Sequence, residues 1–279
     1  MGKNVTRHFV NTPSGEVFFR SAGDDQAGVP LVALHASPAS SKSLLPLLEA
    51  MQPTRRIIAP DTMGNGQSDP HPSAAPEMAD YASAMADMAD SLELDQIDLY
   101  GSHTGAHIAI EWAIAQPRRV RSLILDGIAY LPGELRAEFL TNYAPPMAPD
   151  AIGSQFNQAW HFMRDQMFFF PHYKKDADHL RVGGAFDAET LHTLTMDVLG
   201  SLTTYHLAYE AVFRHDLAAR MPLVTQKTLL IVPEDDYLAE GTAFALANLP
   251  DSHVARVSGD FDMGLRADVV ETFLEKVTP

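Results

Sequence analysis

A histidine lies between two glycines in the run Gly101-Ser102-His103-Thr104-Gly105. Residues 97–100 before it predict a short buried strand, and residues 106–116 after it predict a helix of mostly small and apolar side chains. A sharp strand-to-helix turn holds its central residue at positive φ, a region that histidine enters more often than most non-glycine residues. We therefore expect His103 at the centre of this turn, with its imidazole available as a general base.

Strand-like and helical segments alternate on either side of this turn. The predicted strands lie near residues 16–21, 31–34, 57–59, 97–100, 123–125, 229–232 and 254–257. The predicted helices lie near residues 41–51, 78–92, 106–116, 237–247 and 267–277. The alternation predicts an α/β fold with a mostly parallel, doubly wound sheet that is covered by helices on both faces. In such a sheet His103 lies at the carboxyl end of its strand.

The middle of the chain departs from this alternation. Between about residues 131 and 222, amphipathic helical stretches follow one another without strands, and Pro145, Pro146 and Pro149 lie near the start. We interpret residues 131–222 as a helical cap inserted after the sixth main strand. Residues 1–130 and 223–279 would then form the α/β core.

Composition restricts the kinds of partner. The 279 residues include 36 acidic and 20 basic side chains, a formal net charge of -16, so neither nucleic acid nor an anionic membrane surface is an expected partner. No apolar run approaches the roughly 20 residues that span a bilayer, and the start of the chain lacks a secretory hydrophobic region. The absence of cysteine excludes disulfides and thiolate catalysis. We expect a cytoplasmic protein that acts on a small molecule, in an oligomeric state that the sequence leaves open.

Several ordered motifs resemble those of the α/β-hydrolase superfamily, in its form with a helical cap. They are the loop His35-Ala36-Ser37-Pro38, the loop from Pro60 to Asp69, the elbow centred on His103, and the strand and turn from Leu229 to Asp236. The first is similar to the family's His-Gly-x-Pro loop, with alanine in place of glycine. The elbow is similar to Gly-x-nucleophile-x-Gly. The resemblance implies the fold of this superfamily and an activity of the hydrolase type.

The resemblance also implies a catalytic triad, from which the chain departs at two positions. The nucleophile position holds His103, because a register centred on Ser102 would put Tyr100 where the turn needs a small residue. Residues 257–264 correspond to the loop of the catalytic histidine, and they contain Asp260 and no histidine. Ordinary Ser-His-Asp acyl transfer is therefore not expected.

A rearranged acid–base pair is the interpretation that we favour. By the resemblance, Asp236 lies in the turn that delivers the acid and Asp260 replaces the histidine. Either carboxylate would hold one ring nitrogen of His103 and leave the other to accept a proton from water or substrate. The resemblance places the oxyanion hole at the backbone N–H groups of Ser37 and Thr104. No cofactor is expected, and no ligand spacing of the His-Glu-x-x-His kind indicates a metal site.

Other polar and aromatic side chains are candidates for a substrate pocket. They are His35, Ser102, Trp160, His161 and His206. The aromatic content of the cap suits a bulky, apolar or aromatic substrate, although such clusters also serve to pack a cap against its core.

Three functions remain compatible with the sequence. The first, which we favour, is a cofactor-free hydrolase of an ester, a lactone or an activated carbon–carbon bond, with His103 as the general base. The second is a lyase or another proton-transfer enzyme that uses the same base. The third is a ligand-binding protein that kept the pocket and lost catalysis, since a fold does not fix a function.

Overall fold

The computed structural model, which describes residues 5–24, 28–181, 187–234, 237–258 and 263–277, contains an eight-stranded sheet. The strands are β1 (Thr6–Thr12), β2 (Gly15–Ala22), β3 (Leu31–Leu34), β4 (Ile57–Pro60), β5 (Ile97–Ser102), β6 (Val120–Asp126), β7 (Lys227–Pro233) and β8 (Ser252–Val257). They lie in the order β1-β2-β4-β3-β5-β6-β7-β8. The pairs β1–β2 and β2–β4 are antiparallel, and the other pairs are parallel. The predicted α/β fold with a mostly parallel sheet is confirmed.

Continuous apolar runs form the centre of the sheet. Every residue of β3, β4 and β5 is buried, as is required of parallel strands that helices cover on both faces. These runs are what the sequence predicts best. The sequence does not predict β1, because β1 is an edge strand whose first four residues are exposed and lack a clear apolar alternation.

Ten α-helices occupy the described part of the chain. They are α1 (Leu45–Met51), α2 (Met78–Ser91), α3 (Thr104–Ala115), α4 (Glu134–Asn142), α5 (Ser154–Phe168), α6 (Ala188–Gly200), α7 (Tyr205–Arg214), α8 (Leu217–Arg220), α9 (Ala239–Asn248) and α10 (Met263–Val277). The apolar faces of α1 and α10 cover one face of the sheet, and those of α2 and α3 cover the other. The five predicted helices are confirmed, with shifts at their ends.

Helices α4 to α8 follow β6 without an intervening strand and return to β7. Two hydrogen bonds place this segment over loops at the carboxyl ends of the core strands. The Tyr209 hydroxyl donates to the carbonyl oxygen of Ser37 at 2.8 Å, and the Thr204 hydroxyl donates to that of Gly64 at 2.6 Å. The segment therefore lies on the side of the sheet where His103 is found. The boundaries 131 and 222 stay a prediction.

A buried polar chain connects α3 to the end of this segment. His107 Nδ1 lies 2.8 Å from His215 Nδ1, and His215 Nε2 lies 2.8 Å from Glu111 Oε1. The Arg220 guanidinium donates to both carboxylate oxygens of Glu111, at 2.7 and 2.8 Å. Burial disfavours the charged form of Glu111, but the bonds from His215 and Arg220 outweigh it and lower the pKa of Glu111 to about 2. An ionised Glu111 thus holds His215 and Arg220 against the core.

A second connection gives a pH-dependent prediction. The Asp197 carboxylate of α6 accepts from the Ser40 hydroxyl of the core at 3.3 and 3.4 Å, and burial raises the pKa of Asp197 to about 6. A carboxyl whose pKa is higher in the folded state than in the unfolded state destabilises the fold when it ionises. This cost is absent below the unfolded pKa and is complete above the folded pKa. We expect Asp197→Asn to raise the free energy of unfolding by about 1 kcal/mol at pH 7.5 and to have no effect at pH 3.5.

Urea unfolding at the two pH values measures this difference. Asp178→Asn, which changes an exposed aspartate of the same segment, is the matched control and should change stability at neither pH. An equal gain for Asp197→Asn at both pH values would show that burial of the charge is not the cause.

Candidate active site

His103 occupies the turn between β5 and α3 with φ 49° and ψ -107°. Its backbone N–H donates to the carbonyl oxygen of Asp126 at 3.0 Å, and its own carbonyl oxygen accepts from the Ala106 N–H at 2.9 Å. The predicted positive φ at the centre of the turn is confirmed. The backbone therefore fixes the imidazole at the carboxyl edge of the sheet, where ligand sites of open α/β sheets are found.

Three glycines make room for this turn. A Cβ on Gly101 would lie 2.3 Å from the carbonyl oxygen of Gly105, and a Cβ on Gly105 would lie 2.3 Å from that of Leu34. A Cβ on Gly127 would lie 3.0 Å from His103 Cε1, so the imidazole packs directly against that backbone. Larger residues at the first two positions would force the strand and the helix apart.

Each ring nitrogen of His103 lies within hydrogen-bond distance of a hydroxyl. Nδ1 is 3.1 Å from Ser102 Oγ, and Nε2 is 2.7 Å from the Tyr237 hydroxyl oxygen. In a neutral imidazole one of these nitrogens donates and the other accepts, so both contacts suit the neutral ring. The His103 ring is half-buried, which leaves it accessible to a small molecule.

Sequence reasoning missed Tyr237. It assigns Tyr237 to the first turn of a helix over residues 237–247, whereas α9 begins at Ala239 and Tyr237 belongs to the preceding turn. The available signal was its position, directly after the strand and turn that the resemblance assigns to the catalytic acid.

Both predicted acidic partners of His103 lie outside the described residues. Asp236 falls in the gap between residues 234 and 237, and Asp260 falls in the gap between residues 258 and 263. The pairing of either carboxylate with His103 stays a prediction.

Asp126 forms a buried polar support beneath the turn. Its carboxylate accepts from the Tyr100 hydroxyl at 2.6 Å and from Arg266 Nε at 2.5 Å. Burial, followed by the charge of Asp126, raises the pKa of Tyr100 well above its ordinary value. Since the Asp126 carbonyl also accepts from His103, these bonds connect the turn to β5 and α10.

The two predicted oxyanion-hole residues are neighbours. The Ser37 backbone N–H donates to Thr104 Oγ1 at 3.3 Å, and Thr104 is the first residue of α3. The first amides of an α-helix have no acceptor within that helix, and they carry the positive end of its dipole. Negative charge beside His103 would therefore face a favourable end of α3.

His35 connects two loops at the carboxyl edge of the sheet. Its Nε2 accepts from the Thr62 backbone N–H at 3.0 Å, and its Nδ1 lies 2.9 Å from the Ala36 carbonyl oxygen. Burial lowers the pKa of His35, so the neutral ring with Nδ1–H as donor suits both contacts. The geometry gives His35 a role in holding the loop that carries Ser37.

The other candidate pocket residues are spread over the helical segment. Trp160 is half-buried on α5 and packs against the main apolar core, whereas His161 is exposed on the same helix. His206 on α7 is half-buried, and burial lowers its pKa. Trp160 and His206 therefore differ from His161 in their exposure to solvent.

A group of aromatic and polar side chains surrounds Tyr237. The Phe170 ring centroid lies 4.9 Å from that of Tyr237, and the guanidinium carbon of Arg181 lies 4.2 Å from it. The Tyr209 hydroxyl, which bonds to Ser37, is also 3.3 Å from Gln166 Oε1. Aromatic surfaces and hydroxyls of the helical segment therefore lie close to the turn that carries His103.

The family model of the alpha/beta hydrolase fold matches residues 29–172, just over half of the 279 residues. The chain belongs to the α/β-hydrolase fold family. The match includes the His35 loop, the Asp61 loop and the elbow.

Relatives of this α/β-hydrolase-fold chain include an iminopeptidase and a semialdehyde hydrolase. The proline iminopeptidase of Heyndrickxia coagulans is 28% identical over 122 residues, which are 43% of this chain and 42% of that protein. The 2-hydroxymuconate semialdehyde hydrolase of Pseudomonas sp. (strain CF600) is 36% identical over 112 residues, which are 38% of each chain. The chain thus spans about two fifths of the length of these curated relatives.

Solved structures agree with the fold over nearly the whole chain. A thermophilic esterase from Thermogutta terrifontis, solved with malate bound, superposes with a TM-score of 0.69 over 98% of this chain and 100% of that one, at 19% identity. At this identity the likeness shows the fold alone.

The described ranges hold neither a metal-binding cluster nor a membrane-spanning helix. Among those residues of this α/β-hydrolase-fold chain, no group of three or more His, Asp or Glu side chains is placed to hold a metal ion. Within the same ranges, no helix has both the length and the apolar character needed to cross a membrane.

Proposed function

We propose that this protein is a hydrolase of an ester, a lactone or an activated carbon–carbon bond, in which His103 acts as the general base. The observation that carries the proposal is an imidazole at the centre of the elbow, at the N-terminus of α3, with Nε2 directed to a hydroxyl 2.7 Å away. Its assignment as a base follows from the chemistry of imidazole, which gains and loses a proton near neutral pH.

The mechanism needs a site for the negative charge that develops on the carbonyl oxygen. The backbone N–H groups of Ser37 and Thr104 are the proposed donors, supported by their proximity and by the end of α3. The Ser37 N–H, which donates to Thr104 Oγ1 at 3.3 Å, would exchange that acceptor for the carbonyl oxygen of the substrate. Because backbone supplies these groups, the replacement of serine by histidine at the elbow leaves them in place. Water attacks the carbonyl carbon as His103 takes its proton, and no covalent enzyme intermediate forms. Asp236 or Asp260 would orient the ring and stabilise the imidazolium.

We propose further that residues 131–222 act as a cap that binds the substrate. Support comes from the contact of Tyr209 with the Ser37 loop and of Phe170 with Tyr237. Aromatic rings and a few placed hydroxyls are typical of small-molecule pockets. A bulky or aromatic substrate would suit this surface, and the names of the relatives support small-molecule hydrolysis.

Incubation in heavy-oxygen water with a panel of esters, lactones and β-diketones tests the proposal. Hydrolysis adds one solvent oxygen to the acid product, so we expect a mass increase of one heavy oxygen in that product. Conversion without solvent oxygen would favour the lyase alternative. Tight stoichiometric binding of a panel compound without conversion would favour the binding-protein alternative.

A serine-directed phosphonate probe tests the register independently. We expect no modification of Ser102, because the elbow centre is His103. Labelling of Ser102 would contradict the proposed mechanism.

A further inference from the structure

The Tyr237 hydroxyl occupies the hydrogen-bonding position of His103 Nε2. Its oxygen is 2.7 Å from Nε2, and the two rings are nearly parallel, with an interplanar angle of 26°. The other ring nitrogen faces Ser102 Oγ at 3.1 Å. A proton that moves between Nε2 and a substrate in this arrangement has the Tyr237 hydroxyl in its path.

A guanidinium and an aromatic ring pack against Tyr237. The Arg181 guanidinium lies over the ring, with its central carbon 4.2 Å from the ring centroid. Arg181 is held there by a bond from one of its terminal nitrogens to the Gln166 carbonyl oxygen at 2.9 Å. A fixed cation at this distance stabilises negative charge that develops on the ring and its oxygen. Phe170 packs against the same ring and limits its movement.

We propose that Tyr237 transfers protons between His103 and the substrate, a role that rests on the proposed hydrolase function. As water attacks, its oxygen bonds to the carbonyl carbon and the carbonyl electron pair moves onto oxygen. The proton of the water passes to the Tyr237 oxygen while the phenol proton passes to Nε2. When the tetrahedral intermediate collapses, the bond to the leaving group breaks. The leaving atom takes a proton from Tyr237, which regains one from the imidazolium.

The assignment predicts an effect that depends on the leaving group. An alkoxide must be protonated as it leaves, whereas p-nitrophenolate leaves without a proton. In Tyr237→Phe the attacking water can give its proton directly to Nε2, so the attack on either ester should slow by about 10-fold or less. Protonation of the leaving alkoxide has no such substitute, so we expect kcat/KM to fall by about 10²-fold or more on an ethyl ester and by about 10-fold or less on the p-nitrophenyl ester of the same acid. The acyl group is the one that the panel assay shows to be hydrolysed. Arg181→Gln should lower the ethyl-ester rate selectively as well.

Two comparisons separate this inference from the proposed function. Tyr81→Phe removes a phenolic hydroxyl on α2, a helix that covers the sheet outside the helical segment, and it should leave both rates unchanged. His103→Ala should lower both rates. If His103→Ala keeps both rates, the proposed function is wrong. If His103→Ala loses both while Tyr237→Phe and Arg181→Gln lower the two esters equally or not at all, the Tyr237 assignment alone is wrong.

Discussion

Replacement of His103 by alanine is expected to lower kcat on the hydrolysed substrate by about 10²–10⁴-fold, the range typical for loss of a general base. The backbone N–H and carbonyl of His103 form the hydrogen bonds of the turn, with Asp126 and Ala106, and the variant retains both groups. Alanine has no ring nitrogen, so the variant lacks a group of similar basicity that could take the proton of the attacking water. The proposed oxyanion donors are backbone groups that the variant retains, and they would support a residual rate.

Two other variants accompany this measurement, one as a control and one as a test of Ser102. His253→Ala removes an exposed histidine of β8 and should leave kcat unchanged. Ser102→Ala removes the hydroxyl beside Nδ1 and should lower kcat by about 10-fold or less, since one neutral hydrogen bond contributes about 0.5–1.5 kcal/mol. A Ser102→Ala variant as inactive as His103→Ala would point to a serine nucleophile and contradict the proposal.

Gly105→Ala is expected to lower the free energy of unfolding by about 3 kcal/mol, the upper part of the range for overpacking of a close contact. The new Cβ would lie 2.3 Å from the carbonyl oxygen of Leu34 and 2.8 Å from that of His35. Both contacts are with backbone, which cannot rotate out of the way as a side chain can. The start of α3 must therefore move away from β3, and the melting temperature should fall by about 6–12 °C.

Gly200→Ala provides the matched control. Gly200 is the last residue of α6, and a Cβ there would meet nothing within 4 Å. Alanine has the higher helix propensity, so this variant should be neutral or more stable by up to about 1 kcal/mol. Thermal unfolding of both variants tests the argument, and equal melting temperatures would show that the packing at Gly105 relaxes without cost.

The sequence predicts the central strands because each is buried on both faces. The strands β3, β4 and β5 are short apolar runs between polar turns. Their residues are mostly apolar because every one of them is buried. The edge strand β1 pairs with β2 alone and exposes its first residues, so burial imposes little pattern on it. The loop from Pro60 to Asp69 is also recognisable in the sequence, because the Asp61 carboxylate that organises it is part of the motif. This carboxylate accepts from the N–H groups of Ser41 and Gln67 at 2.7 and 2.9 Å.

The long-range contacts around the site could not be predicted from local sequence patterns. His107 meets His215, Asp126 meets Arg266, and Tyr209 meets Ser37 across large separations in the chain. None of these pairs has a spacing that a local pattern could reveal. They form because the sheet order places β5 between β3 and β6 and places the helical segment over their carboxyl ends.

The sequence by itself determined the α/β class, the strand-to-helix turn between β5 and α3, and the position of His103 at its centre, because each depends on local periodicity or on glycine spacing. Only the tertiary structure decided what the imidazole meets. Tyr237 lies 134 positions further along the chain and reaches Nε2, because β7 ends at the same edge of the sheet as β5. Parallel strands bring distant loops to one edge, and residues that meet there need share no local pattern.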